Sequence, residues 1–279
     1  MIPQRNLSLL SNRLAREGGR RIPEAVLERD YCLAWFLVGL SRSPLRERLA
    51  FKSGTAIKRC YFGDYRFSED LDFSLIQEVS FDAIRAELDP LFEYIRHASG
   101  IAVRYTRDDR ESHTNSYTFY LAYEGPLPTR SANEVKVDIT IRERFVLPLA
   151  ERAILRGYEA YEDLPDGAVV RAYSLAEIAV EKIVALGDRA RNEPRDLYDA
   201  WYLTSEGRVD LRSLTGEVER KMGFRGRSLT TLGEEFRRKE PRFRKLWKAR
   251  LAPQLARLPE FDGVFRAVQR SLRQAALMG

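Results

Sequence analysis

Apolar residues recur at helical spacing through Val26, Leu27, Leu33, Phe36, Leu37 and Leu40, which predicts a buried helix over residues 23–41. Phe81, Ile84, Leu88, Leu91, Phe92 and Ile95 repeat the pattern and predict a second helix over 81–97. Between them the pattern changes. A short helix is expected at 55–61, entered from a Ser53-Gly54 turn, and residues 70–75 alternate polar and apolar as a strand with one covered face does. Strand-like stretches follow at 100–106, 116–123 and 134–141, the last two separated by the turn-rich EGPLPTRSAN. From Ser174 onward the spacing is helical. A boundary is therefore expected in the loop-forming stretch 160–173, dividing an α/β domain of residues 1–168 from a helical domain of residues 169–279.

The chain has 279 residues, 44% of them hydrophobic, enough for a real core, and reads as a soluble globular protein. Cys32 and Cys60 make no disulfide framework, and His97 and His113, the only histidines, complete no zinc-like spacing, so a reducing cytoplasm is the expected compartment. The longest apolar run, residues 33–40, falls far short of the roughly 18 residues needed to cross a bilayer. The first residues also lack the apolar core and cleavage site of a secretory signal, and no membrane role is expected. Charge is uneven along the chain. Residues 217–279 carry 16 Lys and Arg against 7 Asp and Glu, a net +9, whereas the preceding residues carry 31 against 34, a net −3. Two readings of the basic tail stay open, a polyanion partner and a solvated helical face.

Four pieces of sequence carry chemistry. In Asp70-Leu71-Asp72-Phe73 the strand period sends both carboxylates to one face, where a divalent cation would offset their repulsion. Surface strands also carry D-x-D by chance. Lys52-Ser53-Gly54-Thr55 runs into a helix, whose outward N–H groups suit a phosphate and whose small residues equally suit ordinary capping. In residues 134–141, EVKVDITI, the alternation places Lys136, Asp138 and Thr140 on one face; Asp138 would add a third carboxylate to a two-metal site, and the alternative is a plain polar strand face. The last piece opens with the capping box Ser174-Leu175-Ala176-Glu177. Beyond it Glu177, Glu181 and Asp188 share a polar stripe, while Lys182 faces inward with Arg189 two turns further along the same side. An inward cation needs an anionic partner, either a phosphate or a carboxylate. Asp196 and Asp199 follow at i, i+3, available to Arg189, Lys182 or a ligand.

In this order, KSGTAIKRCY with RFSEDLDF, the strand EVKVDI, and LAEIAVEKIVALGDRARNEPRDLYDAWYL resemble the AbiEii/AbiGii nucleotidyltransferase-like toxins, including the MenT toxins, of the DNA polymerase β-like superfamily. The matching stretches span about residues 30 to 203. This sequence has Ser-Gly where many relatives have Gly-Gly, and superfamily members often place the aspartates closer to the turn. The resemblance implies a polymerase-β-like α/β core, a small mixed sheet flanked by helices, followed by a helical C-terminal domain in a bilobed chain. It implies a phosphate turn at Ser53, Gly54 and Thr55, metal binding by Asp70, Asp72 and Asp138, and a site completed by Lys136 and Lys182, with Asp196 as the acid of the last motif. Arg189 and Ser68 are expected to line the nucleotide pocket, Ser68 with a hydroxyl open to regulatory phosphorylation or simply bonded to the turn.

The function implied is that of a cytoplasmic toxin of a toxin–antitoxin pair, monomeric and neutralised by a cognate antitoxin. It would use Mg²⁺ to transfer nucleotides, pyrimidines for preference, from NTP to the 3′ end of tRNA and so block translation. The alternatives are transfer to a protein or small-molecule acceptor, and a GTP-binding toxin that transfers nothing to RNA.

Overall fold

The computed structural model describes residues 1–109, 114–128, 133–205 and 208–278. His113 and residues 129–132 of the expected turn lie outside them. Helix α1 (Gln4–Gly18), to which the sequence reading gave no element although Leu7, Leu10 and Leu14 fall at helical spacing, precedes α2 (Glu24–Arg42). Helix α2 is apolar nearly all round and is buried from Tyr31 to Leu40, the behaviour of a core helix rather than a surface one.

A strand too short to show alternation follows, β1 (Leu49–Phe51), and the chain then turns into α3 (Ser53–Cys60) and passes through a loop to β2 (Leu71–Leu75). Ser68 and Asp70 therefore sit in the loop before the strand, where a strand position was expected. The expected helix 81–97 is two helices, α4 (Phe81–Ala86) and α5 (Leu88–Ser99). Pro90 is the reason: it has no N–H to give, and its ring would clash with the carbonyl of Ala86 in a continuous helix. Strands β3 (Ala102–Asp108), β4 (Ser116–Glu124) and β5 (Asn133–Thr140) come next, close to the expected spans. Two more, β6 (Leu149–Ala153) and β7 (Val169–Tyr173), have no counterpart in the sequence reading.

Among the described residues seven strands form one mixed sheet in the order β3-β4-β5-β2-β1-β7-β6. Strands β2 and β5 pair in parallel, as do β1 and β7, while the other neighbours are antiparallel. The sheet and its helices make a first compact unit, Met1–Glu143 with Leu149–Tyr173. The break thus falls after Tyr173, because β7 pairs with β1 and belongs to the sheet.

The lock of this unit is electrostatic. Helix α3 is almost wholly buried although it carries Lys58 and Arg59. Arg59 reaches Asp30 of α2 at 2.5 Å and donates also to the carbonyls of Asp30, Leu155 and Arg156. Lys58 donates to the carbonyls of Gly63 and Tyr65 and to the Tyr158 hydroxyl, pinning the loop that leads to β2. Its burial lowers its pKa to about 8.

The second unit is Arg144–Pro148 with Ser174–Gly279. It contains α6 (Leu175–Leu186), α7 (Pro194–Thr204), α8 (Thr215–Phe224), α9 (Leu232–Arg238), α10 (Glu240–Leu251) and α11 (Phe261–Gln274). Phe236 of α9 stacks on Phe265 of α11, and Trp247 of α10 meets Phe261 edge-on. Ser174 caps α6 by accepting from the Glu177 N–H, but Glu177 does not close the capping box. Its carboxylate instead takes the N–H groups of Val146 and Leu147 and the Lys221 ammonium. Glu181 meets Lys221 and Arg225, and Asp188 meets Arg227. The polar stripe of α6 is thus an internal seam of ion pairs.

Removing one member of a buried pair strands the other. Asp30→Ala is expected to cost about 3–5 kcal/mol, read as a lower denaturant midpoint at neutral pH, and Asp30→Ala with Arg59→Met is expected to cost less than Asp30→Ala alone.

Candidate active site

Parallel pairing of β2 with β5 sets the site. The register places Leu71 beside Val137, Asp72 beside Asp138, Phe73 beside Ile139 and Ser74 beside Thr140. Neighbouring strands lie roughly 4.8 Å apart, so Asp72 and Asp138 stand side by side on one face while their apolar neighbours enter the core. Thr118, opposite Asp138 on β4, donates to Asp138 Oδ2 at 3.0 Å, and Lys136 Nζ lies 3.7 Å from the same oxygen. Among the described residues none donates a hydrogen bond to the Asp72 carboxylate.

The turn between β1 and α3 reaches this row from the other side. The backbone N–H of Lys52 donates to the Asp72 carbonyl, and the Thr55 hydroxyl donates to the Asp70 carbonyl at 2.7 Å. Ser53 has φ 65°, in the left-handed region that favours glycine. A non-glycine residue there costs on the order of 1 kcal/mol or more, and local strain of this kind is typical of ligand-binding turns. Gly54 has no side chain to spare: a Cβ on it would run into the Arg66 guanidinium.

Four polar residues that the sequence reading gave no role stand at the site. Lys52, nearly buried, donates to the Thr140 hydroxyl at 2.7 Å. Ser74 and the Tyr173 hydroxyl share a 2.7 Å hydrogen bond on the same strand face. Arg66, buried beside Gly54, brings a second cation to the turn. Lys52 and Arg66 flank motifs already visible in the sequence, so their adjacency was the available signal. Tyr173 had none, because its strand was not recognised.

The donor set suits a hard divalent cation. Asp72 and Asp138 are two adjacent carboxylates, and Mg²⁺ characteristically takes one or two carboxylates together with phosphate oxygens and water. Among the described residues no three Asp, Glu, His or Cys side chains gather closely enough to cage a metal. The three-carboxylate cluster of Asp70, Asp72 and Asp138 expected from the sequence is accordingly not preformed, since Asp70 precedes the strand that aligns the other two.

The remaining expected site residues lie in the second unit. Lys182 is buried and its partners are carboxylates: Asp196 at 2.8 Å and Asp199 at 2.7 Å. Arg191, not Arg189, completes the cluster, with its Nε 2.5 Å from Asp196. Arg189 does not continue along α6 as its spacing implied. The helix ends at Leu186, where Lys239 donates to the carbonyls of Ala185 and Leu186, and Arg189 lies exposed in the turn beyond.

A mixed sheet bearing paired carboxylates next to a strand–turn–helix is a nucleotidyltransferase architecture. Residues 35–269 match the family described as nucleotidyl transferase AbiEii toxin, type IV toxin–antitoxin system, and the chain belongs to that family. Its fold is shared with MenT4, a nucleotidyltransferase toxin from Mycobacterium tuberculosis H37Rv, at a TM-score of 0.64 and 18% sequence identity, over 95% of this chain and 89% of that one. No curated protein matches it. Membership makes the protein a transferase toxin with a nucleotide substrate and a cognate antitoxin, and enzymes of this kind generally use divalent metal ions. Among the described residues no helix is long and apolar enough to cross a membrane.

The Lys182 cluster has a pH signature. Burial pushes the Asp196 carboxyl up, but Lys182 and Arg191 outweigh it and hold the pKa at about 2, below the ordinary 3.8. A depressed carboxyl stabilises the fold above its unfolded pKa and loses that contribution as pH falls through the folded value. Stability measured against pH is thus expected to carry an Asp196 contribution fully present above about pH 4 and lost towards about pH 2, and Asp196→Asn is expected to flatten that limb.

Proposed function

We propose that this toxin transfers a nucleotide from an NTP to the 3′ end of tRNA and thereby blocks translation. The observation that carries the reading is the side-by-side placement of Asp72 and Asp138 next to the Ser53–Gly54 turn. In the proposal the turn N–H groups receive the triphosphate, with Lys52 and Arg66 opposing its charge. Asp72 and Asp138 are the residues that hold Mg²⁺, with Asp70 adjoining. When bound there, the ion would supply Lewis acidity, lowering the pKa of the attacking hydroxyl and neutralising charge on the leaving group.

Thr118 and Lys136 both address Asp138 Oδ2, so Oδ1 is the oxygen assigned to the substrate side. The RNA 3′-oxygen forms a bond to the α-phosphorus, and its proton passes to Asp138. The bond from the α-phosphorus to the bridging oxygen breaks, and pyrophosphate leaves. Nearly all of the catalytic effect is positioning and charge stabilisation, which is why rigid strands suit it. Lys182 and Asp196 form a buried ion pair within the second unit. The pyrimidine preference rests on resemblance to the family.

With Mg²⁺, total tRNA and each labelled NTP in turn, the protein is expected to label RNA from one nucleotide. A chelator abolishes the signal, and Asp72→Asn lowers it at least about 100-fold with an unchanged denaturation midpoint. Pyrophosphate release without labelled RNA would point to a different acceptor, and nucleotide binding without pyrophosphate release to a toxin that acts by occupancy.

A further inference from the structure

The basic tail does not present its charge evenly. Lys221, Arg220, Arg225, Arg227, Arg238 and Arg244 are each paired with a carboxylate. Lys239 is spent on helix carbonyls. Helix α11 differs. Arg266, Arg270 and Arg273 are exposed on it at i, i+4 and i+7, and no acidic residue follows Asp262 in the chain. Asp262, at the head of the helix, is engaged by Arg244 at 2.6 Å and lies near enough to feel Arg266.

Together with Gly263, Gln269 and Gln274 the three arginines line an open groove of about 560 Å³. The apolar face of the same helix, Phe261, Val264, Phe265, Val268 and Leu272, is buried in the unit. A basic amphipathic helix that lies on membranes inserts its apolar face, and here that face is already committed. What is left outward is charge and hydrogen-bond donors, with no apolar anchor for a protein hot spot.

We propose that the Arg266–Arg270–Arg273 face of α11 is a docking surface for the phosphate backbone of the acceptor RNA. This rests on RNA being the acceptor. The argument is charge complementarity and spacing. At 1.5 Å per residue the three arginines span roughly 10 Å of helix axis, and the phosphates of one strand recur about every 3.4 Å along the axis of B-form DNA and somewhat more closely in A-form RNA. The row therefore spans about three phosphate steps. Arginine forks and glutamine amides suit phosphate and sugar oxygens, which position an RNA without reading its sequence.

The test compares full-length protein with R266Q/R270Q/R273Q, which keeps the helix formers and removes the charge, and with R266K/R270K/R273K, which restores it. Binding of labelled tRNA is measured over a range of salt, together with kcat and the KM values for RNA and for NTP. The glutamine variant is expected to lower the slope of log affinity against log salt by about 2–3 units and to raise KM for RNA about tenfold or more at low salt. Its kcat and KM for NTP stay unchanged, and the lysine variant recovers most of the loss. An unchanged slope and KM, in a glutamine variant that folds and labels RNA, overturns the docking surface while leaving the function intact. Loss of antitoxin affinity with unaltered RNA binding overturns it in favour of a protein partner. Failure of the unsubstituted protein to bind or label any RNA overturns the acceptor assignment and this surface together.

Discussion

The parallel register between β2 and β5 is the constraint on which the site depends. It places Asp72 against Asp138 at strand spacing, an arrangement that like charges resist unless cations stand nearby. The surroundings provide for this. Lys136 and Thr118 face Asp138, Lys52 reaches the next row of the same face at Thr140, and Arg66 lies against the turn. A slip of one residue in that pairing would turn one of the two carboxylates into the core, so the apolar positions Leu71, Phe73, Val137 and Ile139 specify the chemistry as much as the aspartates do.

The rigidity behind the site comes from charges placed where a simple core would be apolar. Arg59 fastens α3 to α2 through Asp30, and Lys58 fastens the loop running to β2. Since α3 also begins at the strained Ser53 turn, these anchors hold in place the backbone proposed to meet the triphosphate. The second unit uses the same device. Glu177 and Lys221, both fully buried, and the Lys182 cluster with Asp196, Asp199 and Arg191 join its helices through ion pairs. Buried pairs of this sort contribute little net stability, but breaking one is costly, so they fix one arrangement of the helices against others.

How much of this was legible in the sequence depended on the length and period of each pattern. The alternation in LDFSL and EVKVDIT gave the two central strands and the shared face of Asp72 and Asp138, and the long apolar stripe gave α2. Strand β1 has three residues, too few to alternate, so the position of Lys52 at the sheet edge of the turn was hidden. Charge on α3 and α6 reads as solvent-facing in one dimension, whereas Lys58, Arg59 and Glu177 are buried and have partners far away in sequence. Arg189 was placed by helical spacing alone, and the end of α6, fixed by Lys239 from the turn between α9 and α10, defeated that inference.

The central claim is that Asp72 and Asp138 hold one divalent cation between them and the nucleotide. Manganese binding, followed by electron paramagnetic resonance with a non-hydrolysable NTP present, tests it directly in the unsubstituted protein, Asp72→Asn and Asp138→Asn. The account predicts a bound-manganese signal lost in both variants while each stays folded. A signal retained in Asp138→Asn would contradict it, because the neighbouring strand would then contribute nothing to the site.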